Sequence, residues 1–282
     1  MIGIKLKNRR KESRILKRKK DTRRKYIRYS IFAIACYISF LLWTLPASVA
    51  ISFIKDNPQL KNKIQLSIVN GTLWNGSAAS AQIAGINLGA LHWNLKVLPL
   101  LIGKVKVYIS FNNKGLSSSK ISGSGNIAVS SSGEISVDDF TAAVTADALA
   151  PLMYGLPARF SGDLNLHINE LSLVKGKRIN IKSRIVVSHA GLVSPQRIEY
   201  GDILIQVSPK QTGSQITLAD QGGPLILDGS IKIKGNGVYN VNLGMGARNS
   251  ASDDLVKGLR FLGSRDATGK YRYRTNGKLN NW

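Results

Sequence analysis

Residues 29–54 contain no charged side chain, and the 28 residues before them are densely basic. A hydrocarbon core about 30 Å thick is spanned by roughly 20 apolar residues as helix. The run IFAIACYISFLLWTLPASVAISFI, with Tyr29 and Ser30 leading in, meets that length. Ahead of it stand fourteen Lys and Arg residues, including Arg23, Arg24, Lys25 and Arg28, opposed only by Glu12 and Asp21. Positive flanks stay on the cytoplasmic side. The expected order is therefore a basic cytoplasmic tail over 1–28, a transmembrane helix over 29–54 and an exported region over 55–282. Ser48-Val49-Ala50 has the small-x-small form of a signal-peptide cleavage site. The apolar character continues past it through Ile51, Phe53 and Ile54, and the basic stretch is far longer than a usual leader. The expectation is a retained single anchor, kinked or ended by Pro46.

Charge also bounds the partners. The net charge is +24, and half of the excess sits in the first 28 residues. Anionic headgroups attract a juxtamembrane block of this kind by about 1 kcal/mol per Lys or Arg. No aromatic residue interleaves with the basic ones before Tyr26, so a nucleic-acid partner is not expected. The only cysteine, Cys36, falls inside the apolar run. The exported region thus has no disulfide, and its stability comes from burial.

After Lys55 the dominant pattern has period two. Ile64, Leu66 and Ile68 alternate with polar residues, as do Leu91, Trp93 and Leu95, and Val105, Val107, Ile109 and Phe111. Leu164 to Ile168, Ile179 to Val187, Ile231 to Ile233 and Tyr239 to Leu243 repeat it. Alternation places one face of each strand against a core and the other in water, the mark of antiparallel sheets. The expected fold is mainly β: a sandwich, an open barrel or one long curved sheet. Gly235-Asn236-Gly237 reads as a hairpin bend. Ser117 to Gly125 is either a loop or a subdomain boundary. One short C-terminal helix is expected over 252–262, with Ser252 as N-cap, Asp253 and Asp254 in the first turn and Gly263 after the end.

Catalytic chemistry is not evident. His92, His167 and His189 sit singly in strand-like segments without metal-ligand spacing. The acidic pairs Asp138-Asp139 and Asp253-Asp254 fit turn and helix-dipole roles. No nucleophile elbow or phosphate-binding glycine loop occurs. The expectation is a non-enzyme without cofactor or metal. The most unusual stretch is Asn70 to Ile102, which sets Trp74 and Trp93 around small residues and ends in Pro99-Leu100-Leu101-Ile102. Core anchoring and a partner surface are both open for it.

Gly71-Thr72-Leu73-Trp74-Asn75-Gly76-Ser77-Ala78, followed by Leu91-His92-Trp93 and Pro99-Leu100, resembles the type II secretion system protein N family. The segment Leu218 to Leu225 with Gly223 and Pro224, then Leu227-Asp228-Gly229 and Gly237-Val238-Tyr239, resembles its later motif. Leu259 to Gly263, Asp266, Gly269, Tyr271 and Gly277 resemble its closing helix and strand. The long basic tail departs from the short cytoplasmic end usual in that family. The resemblance implies a non-catalytic, single-pass inner-membrane accessory of the machine that exports folded proteins across the outer membrane. It implies other machine components as partners, the secretin or the inner-membrane platform first. Gly71, Leu73, Trp74, Gly76, Trp93, Pro99, Gly223, Pro224, Leu225, Gly229, Tyr239, Gly269 and Tyr271 are the candidate structural or interaction residues. The alternative reading of the same pattern is a membrane-anchored periplasmic protein that binds or transfers lipid.

Overall fold

The computed structural model describes residues 29–34, 36–41, 43–56, 63–113, 119–153, 155, 157–174 and 179–279. The basic stretch with Arg23, Arg24, Lys25 and Arg28 lies outside them. The chain divides into two compact units, residues 1–46 and 47–282. In the first unit, residues 29–34, 36–41 and 43 are helical, and Ile31, Phe32, Tyr37, Phe40 and Trp43 all point outward. The helix ends at Thr44, whose hydroxyl donates to the Phe40 carbonyl at 3.0 Å. Pro46 follows, as its missing N–H and fixed φ require of a breaker. No helix among the described residues is long and apolar enough to cross a membrane.

The second unit opens with α1 (Ala47–Asp56), which packs beside the first strand. Thirteen strands follow: β1 (Ile64–Gly71), β2 (Asn75–Ile83), β3 (Ile86–Lys96), β4 (Lys104–Asn113), β5 (Ile121–Ser130), β6 (Ile135–Thr145), β7 (Arg159–Leu173), β8 (Ile179–Ser194), β9 (Ile198–Lys210), β10 (Gly213–Asp220), β11 (Leu225–Lys234), β12 (Val238–Ala247) and β13 (Tyr271–Lys278). A short helix α2 (Val97–Leu100) joins β3 to β4, a 3₁₀ helix (Ala146–Met153) joins β6 to β7, and α3 (Asp253–Arg260) joins β12 to β13.

All thirteen strands form one antiparallel sheet in sequence order. Of the three expected arrangements, the single long sheet is the one observed; a two-sheet sandwich is not. Neighbouring strands twist by about 20–25°, so a sheet this wide cannot be flat. Ile121 to Gly125, read from sequence as loop or boundary, forms the first half of β5 and is paired on both sides.

The register explains the alternation. One face carries rows of apolar side chains. Leu95, Val107, Ile127, Val137, Leu171 and Ile181 stand opposite one another across six strands. The other face is polar: Ser77, His92, Ser110, Ser124, Thr141, His167 and Arg184 form a continuous cross-strand row.

Both larger caps sit on the apolar face and at the same end of the strands. We call this the near end, because β1 begins there. Ala148 of the 3₁₀ helix closes over Phe111 and Ile121. Leu255 and Leu259 of α3 close over Ile198, Leu225, Leu227 and Tyr271. α3 forms as the sequence predicts: Ser252 is its N-cap, its hydroxyl accepting from Leu255 N at 3.3 Å. Gly263 takes φ +111° just past the end. The two cores therefore occupy one end of the sheet. Toward the other, far end, the apolar rows stay only half-buried.

Candidate interaction surfaces

The first group of sequence-predicted residues meets in the β1–β2 hairpin at the far end. Gly71 has φ +89°, and a methyl there would stand 2.5 Å from the Asn75 carbonyl oxygen. Only glycine accepts both conditions. Thr72 N donates to Asn75 O at 2.9 Å, and Asn75 N donates to the Thr72 hydroxyl at 3.1 Å. Gly76 lies directly opposite Trp93 of β3. The indole covers it so closely that a methyl on Gly76 would be 2.7 Å from Trp93 Cε2. Trp93 Nε1–H then reaches the Leu73 carbonyl at 3.2 Å. Leu73, Gly76 and Trp93 thus form one unit that ties β3 to the turn. Trp74 is half-buried beside it, and its carbonyl accepts from Leu95 N at 2.7 Å. Pro99 sits in α2, also at the far end.

The same device recurs along the sheet. Phe111 covers Gly123, Tyr239 covers Gly277 and Leu243 covers Gly229, each pair directly opposite across neighbouring strands. Phe140 covers Gly125 at a β-bulge. A large side chain laid over a strand glycine seals the surface the glycine leaves bare.

The second group meets at the near end. Gly223 (φ +106°) and Gly201 (φ +92°) approach so closely that a methyl on Gly223 would be 2.7 Å from Gly201 Cα. Arg248 fastens this crossing. It donates to the carbonyls of Gly223 at 2.8 Å and Leu225 at 2.9 Å and pairs with Asp220 at 2.5 Å. Asp220 also accepts from Leu227 N at 2.9 Å and Gly222 N at 3.2 Å. Burial pushes the Asp220 carboxyl up, but the bonds from Leu227 N, Arg248 and Gly222 N outweigh it and hold it below the usual carboxylate range. Pro224 lies between these anchors, its carbonyl accepting from Arg248 N at 2.9 Å. Sequence reasoning named Gly223, Pro224 and Leu225 but missed Asp220 and Arg248 as their fastening. The two are 28 residues apart and carry no local signal.

Gly269, at φ +77°, closes the turn before β13. Asp266 organises that turn. It accepts from the Thr268 hydroxyl at 2.6 Å and pairs with Arg272 Nε at 2.6 Å, so its carboxyl is held well below the usual range. Arg272 and Lys270 both reach Asp228 on β11. Tyr271 is buried, its hydroxyl accepting from Arg265 Nε at 3.2 Å with the guanidinium 5.2 Å above its ring.

The histidines occupy neither cluster. His92 and His167 line a hollow of about 840 Å³ on the polar face, with Tyr108, Ser124, Thr141 and Arg184. They stand four strands apart in the sheet, on β3 and β7. His189 lies on a bulge of β8, its N–H bonded to Asp202 at 2.8 Å. Among the described residues no three His, Cys, Asp or Glu side chains converge as metal ligands.

The family model for type II secretion system (T2SS), protein N, matches residues 62–274. The match spans the sheet from β1 into β13. The chain belongs to the type II secretion system protein N family. Two relatives carry that name. The protein of Vibrio cholerae is 23% identical over 236 residues, covering 83% of this chain and 91% of its own length. The protein of Aeromonas hydrophila is 25% identical over 254 residues, covering 89% of this chain and 97% of its own. No solved structure matches the chain. As a protein N family member it is a component of type II secretion. Both hairpin clusters described above lie within the matched residues.

Proposed function

We propose that this chain is a non-catalytic, single-pass inner-membrane accessory or assembly component of the type II secretion machine. Its sheet lies in the periplasm and its N-terminus in the cytoplasm. The observation that carries the reading is the family match over residues 62–274, from β1 into β13. Support for the anchor comes from the charge-free run 29–54 behind its basic block and from the outward side chains of Ile31, Phe32, Tyr37, Phe40 and Trp43. The basic tail would contact anionic lipid rather than nucleic acid.

The clusters around Trp93 and Arg248 act as scaffold. They fix the ends of a sheet whose outermost strands, β1 and β13, each pair on one side only. Unpaired strand edges are suited to β-augmentation by a partner. Tethering to the bilayer raises the effective concentration of such an edge for other envelope components of the machine. The secretin and the inner-membrane platform are the first candidates.

A strain lacking the chain tests this. Folded exoproteins are expected to accumulate in the periplasm while their synthesis is unchanged, and the full chain supplied in trans restores export. Undiminished secretion by the deletion strain would refute the role. The second reading, lipid binding, is favoured by the half-buried apolar rows at the far end of the sheet.

A further inference from the structure

We propose that the outer edge of β13 takes an acidic, extended segment of a partner protein as one more antiparallel strand. This rests on the edge-pairing reading above and deepens it: it names which edge binds and what the partner strand must carry.

The first observation is the backbone of the edge. β13 pairs with β12 residue for residue from Tyr271 to Lys278, without a bulge. Leu279 N donates to Gly237 O at 3.0 Å. Backbone groups alternate between the two sides of a strand, so Thr275 and Gly277 also turn toward β12. Arg274, Asn276 and Lys278 turn their N–H and C=O outward, and among the described residues no strand pairs with them. Such a row is a template for a further strand. Only its near end is occupied: Asp266 N donates to Lys270 O at 2.8 Å, and Arg265 bridges Tyr271.

The opposite edge is less suited. On β1, Ile68 stands at φ +48°, drops out of the register with β2 and is 73% exposed. A bulge blunts an edge, and α1 packs beside the same strand.

The second observation is charge. The polar row continues from Arg184 through Gln206, Thr217, Ser230 and Asn242 to Arg274. Arg274 and Lys278 therefore share the polar face, and both are exposed. Lys232 and Lys234 lie on that face two strands inward. No Asp or Glu occurs over 229–252 or 267–282. Arg272 is already paired with Asp266 and Asp228. Among the described residues no carboxylate pairs with Arg274 or Lys278.

An antiparallel strand laid on this edge sets one side chain across from Arg274 and another across from Lys278. Opposite charges directly across a strand pair attract, and like charges repel. Asp or Glu at both positions completes the pairs. The side chains between them fall on the apolar face beside Tyr273, itself 43% exposed, and Thr275. The fitting segment thus reads acidic, apolar, polar, apolar, acidic.

The same charges disfavour the competing occupants. Two β13 edges meeting would set Arg274 and Lys278 of one copy against the same basic pair of the other, the usual guard against edge-to-edge association. The chain's own first 28 residues carry the same sign.

The test uses the full chain in detergent at low ionic strength. The probe is the peptide Thr-Glu-Val-Thr-Val-Glu-Thr with a photoreactive benzophenone at its N-terminus, and labelled sites are mapped by mass spectrometry. Labelling within 271–279 is expected. A twin peptide with Lys for both Glu residues should label at least about tenfold less. A twin N-methylated at both Glu residues and the central Thr keeps the charge but loses the facing donors, and should not label. Arg274→Glu with Lys278→Glu, both at exposed positions, should unfold with the parent and prefer the Lys twin. Equal labelling by the Glu and Lys peptides, undiminished labelling by the N-methylated one, or no labelling within 271–279 would each overturn the proposal. These results are read on purified protein, apart from the deletion strain. A peptide that fails here leaves the secretion role standing, and a deletion strain that secretes normally leaves the peptide result standing.

Discussion

Gly76→Ala is the sharpest probe of how the sheet is sealed. Gly76 is not at positive φ, so alanine has no backbone penalty and would ordinarily gain about 0.5–1 kcal/mol over glycine. Here the new methyl would stand 2.7 Å from Trp93 Cε2, and the indole must move. Overpacking of this kind costs about 1–3 kcal/mol. Displacing the ring also breaks the bond from Trp93 Nε1 to Leu73 O, a further ~1 kcal/mol. The net loss is about 1–3 kcal/mol. For a unit of this size each kcal/mol shifts Tm by about 2–4 °C, so the expected fall is roughly 2–12 °C. Thermal unfolding of the full chain in detergent, followed by circular dichroism, measures it. Trp93→Leu removes the clash, so the double variant should lose less than the sum of the two single variants. A Gly76→Ala protein that melts with the parent, or strictly additive variants, would refute the covering of Gly76 by Trp93.

Other substitutions test other parts of the fold. Gly258→Ala lies in α3, where a methyl meets nothing within 4 Å; the same change should there stabilise by about 0.5–1 kcal/mol, raising Tm. Ser252→Ala removes the α3 N-cap and should cost about 1 kcal/mol in denaturant unfolding. The Asp220 carboxyl is depressed in the folded protein. Its stabilising share is therefore present above the ordinary carboxylate range and lost as pH falls through its folded value. Unfolding midpoints measured from pH 6 downward should show a shallower acid-side decline in Asp220→Asn than in the parent.

Much of the sheet was legible because its strands carry their own pattern. Val105 to Phe111 and Ile231 to Ile233 announce one apolar face each, and the Gly235–Gly237 bend between β11 and β12 is where a hairpin bend was expected. β2 and β5 were not legible. Their sequences, NGSAASAQI and ISGSGNIAVS, show little apolar alternation. Gly76, Gly123 and Gly125 are covered instead by Trp93, Phe111 and Phe140 from the neighbouring strands. Their apolar surface is thus supplied by residues distant in sequence, which no local window registers. The near-end fastening was hidden for the same reason: Asp220 and Arg248 meet only once β10, β11 and β12 are paired. The motif residues Gly71, Gly223 and Gly269 were visible as glycines. Only the backbone shows that each holds a positive φ at a turn or close crossing.

The proposal that residues 29–54 hold the sheet of this type II secretion system protein N family member outside the inner membrane has a direct test. Alkaline phosphatase fused after Trp282 in the full chain reads that side directly. High phosphatase activity in intact cells is the predicted result. Activity gained only when the enzyme is replaced by a cytosol-dependent reporter would contradict it.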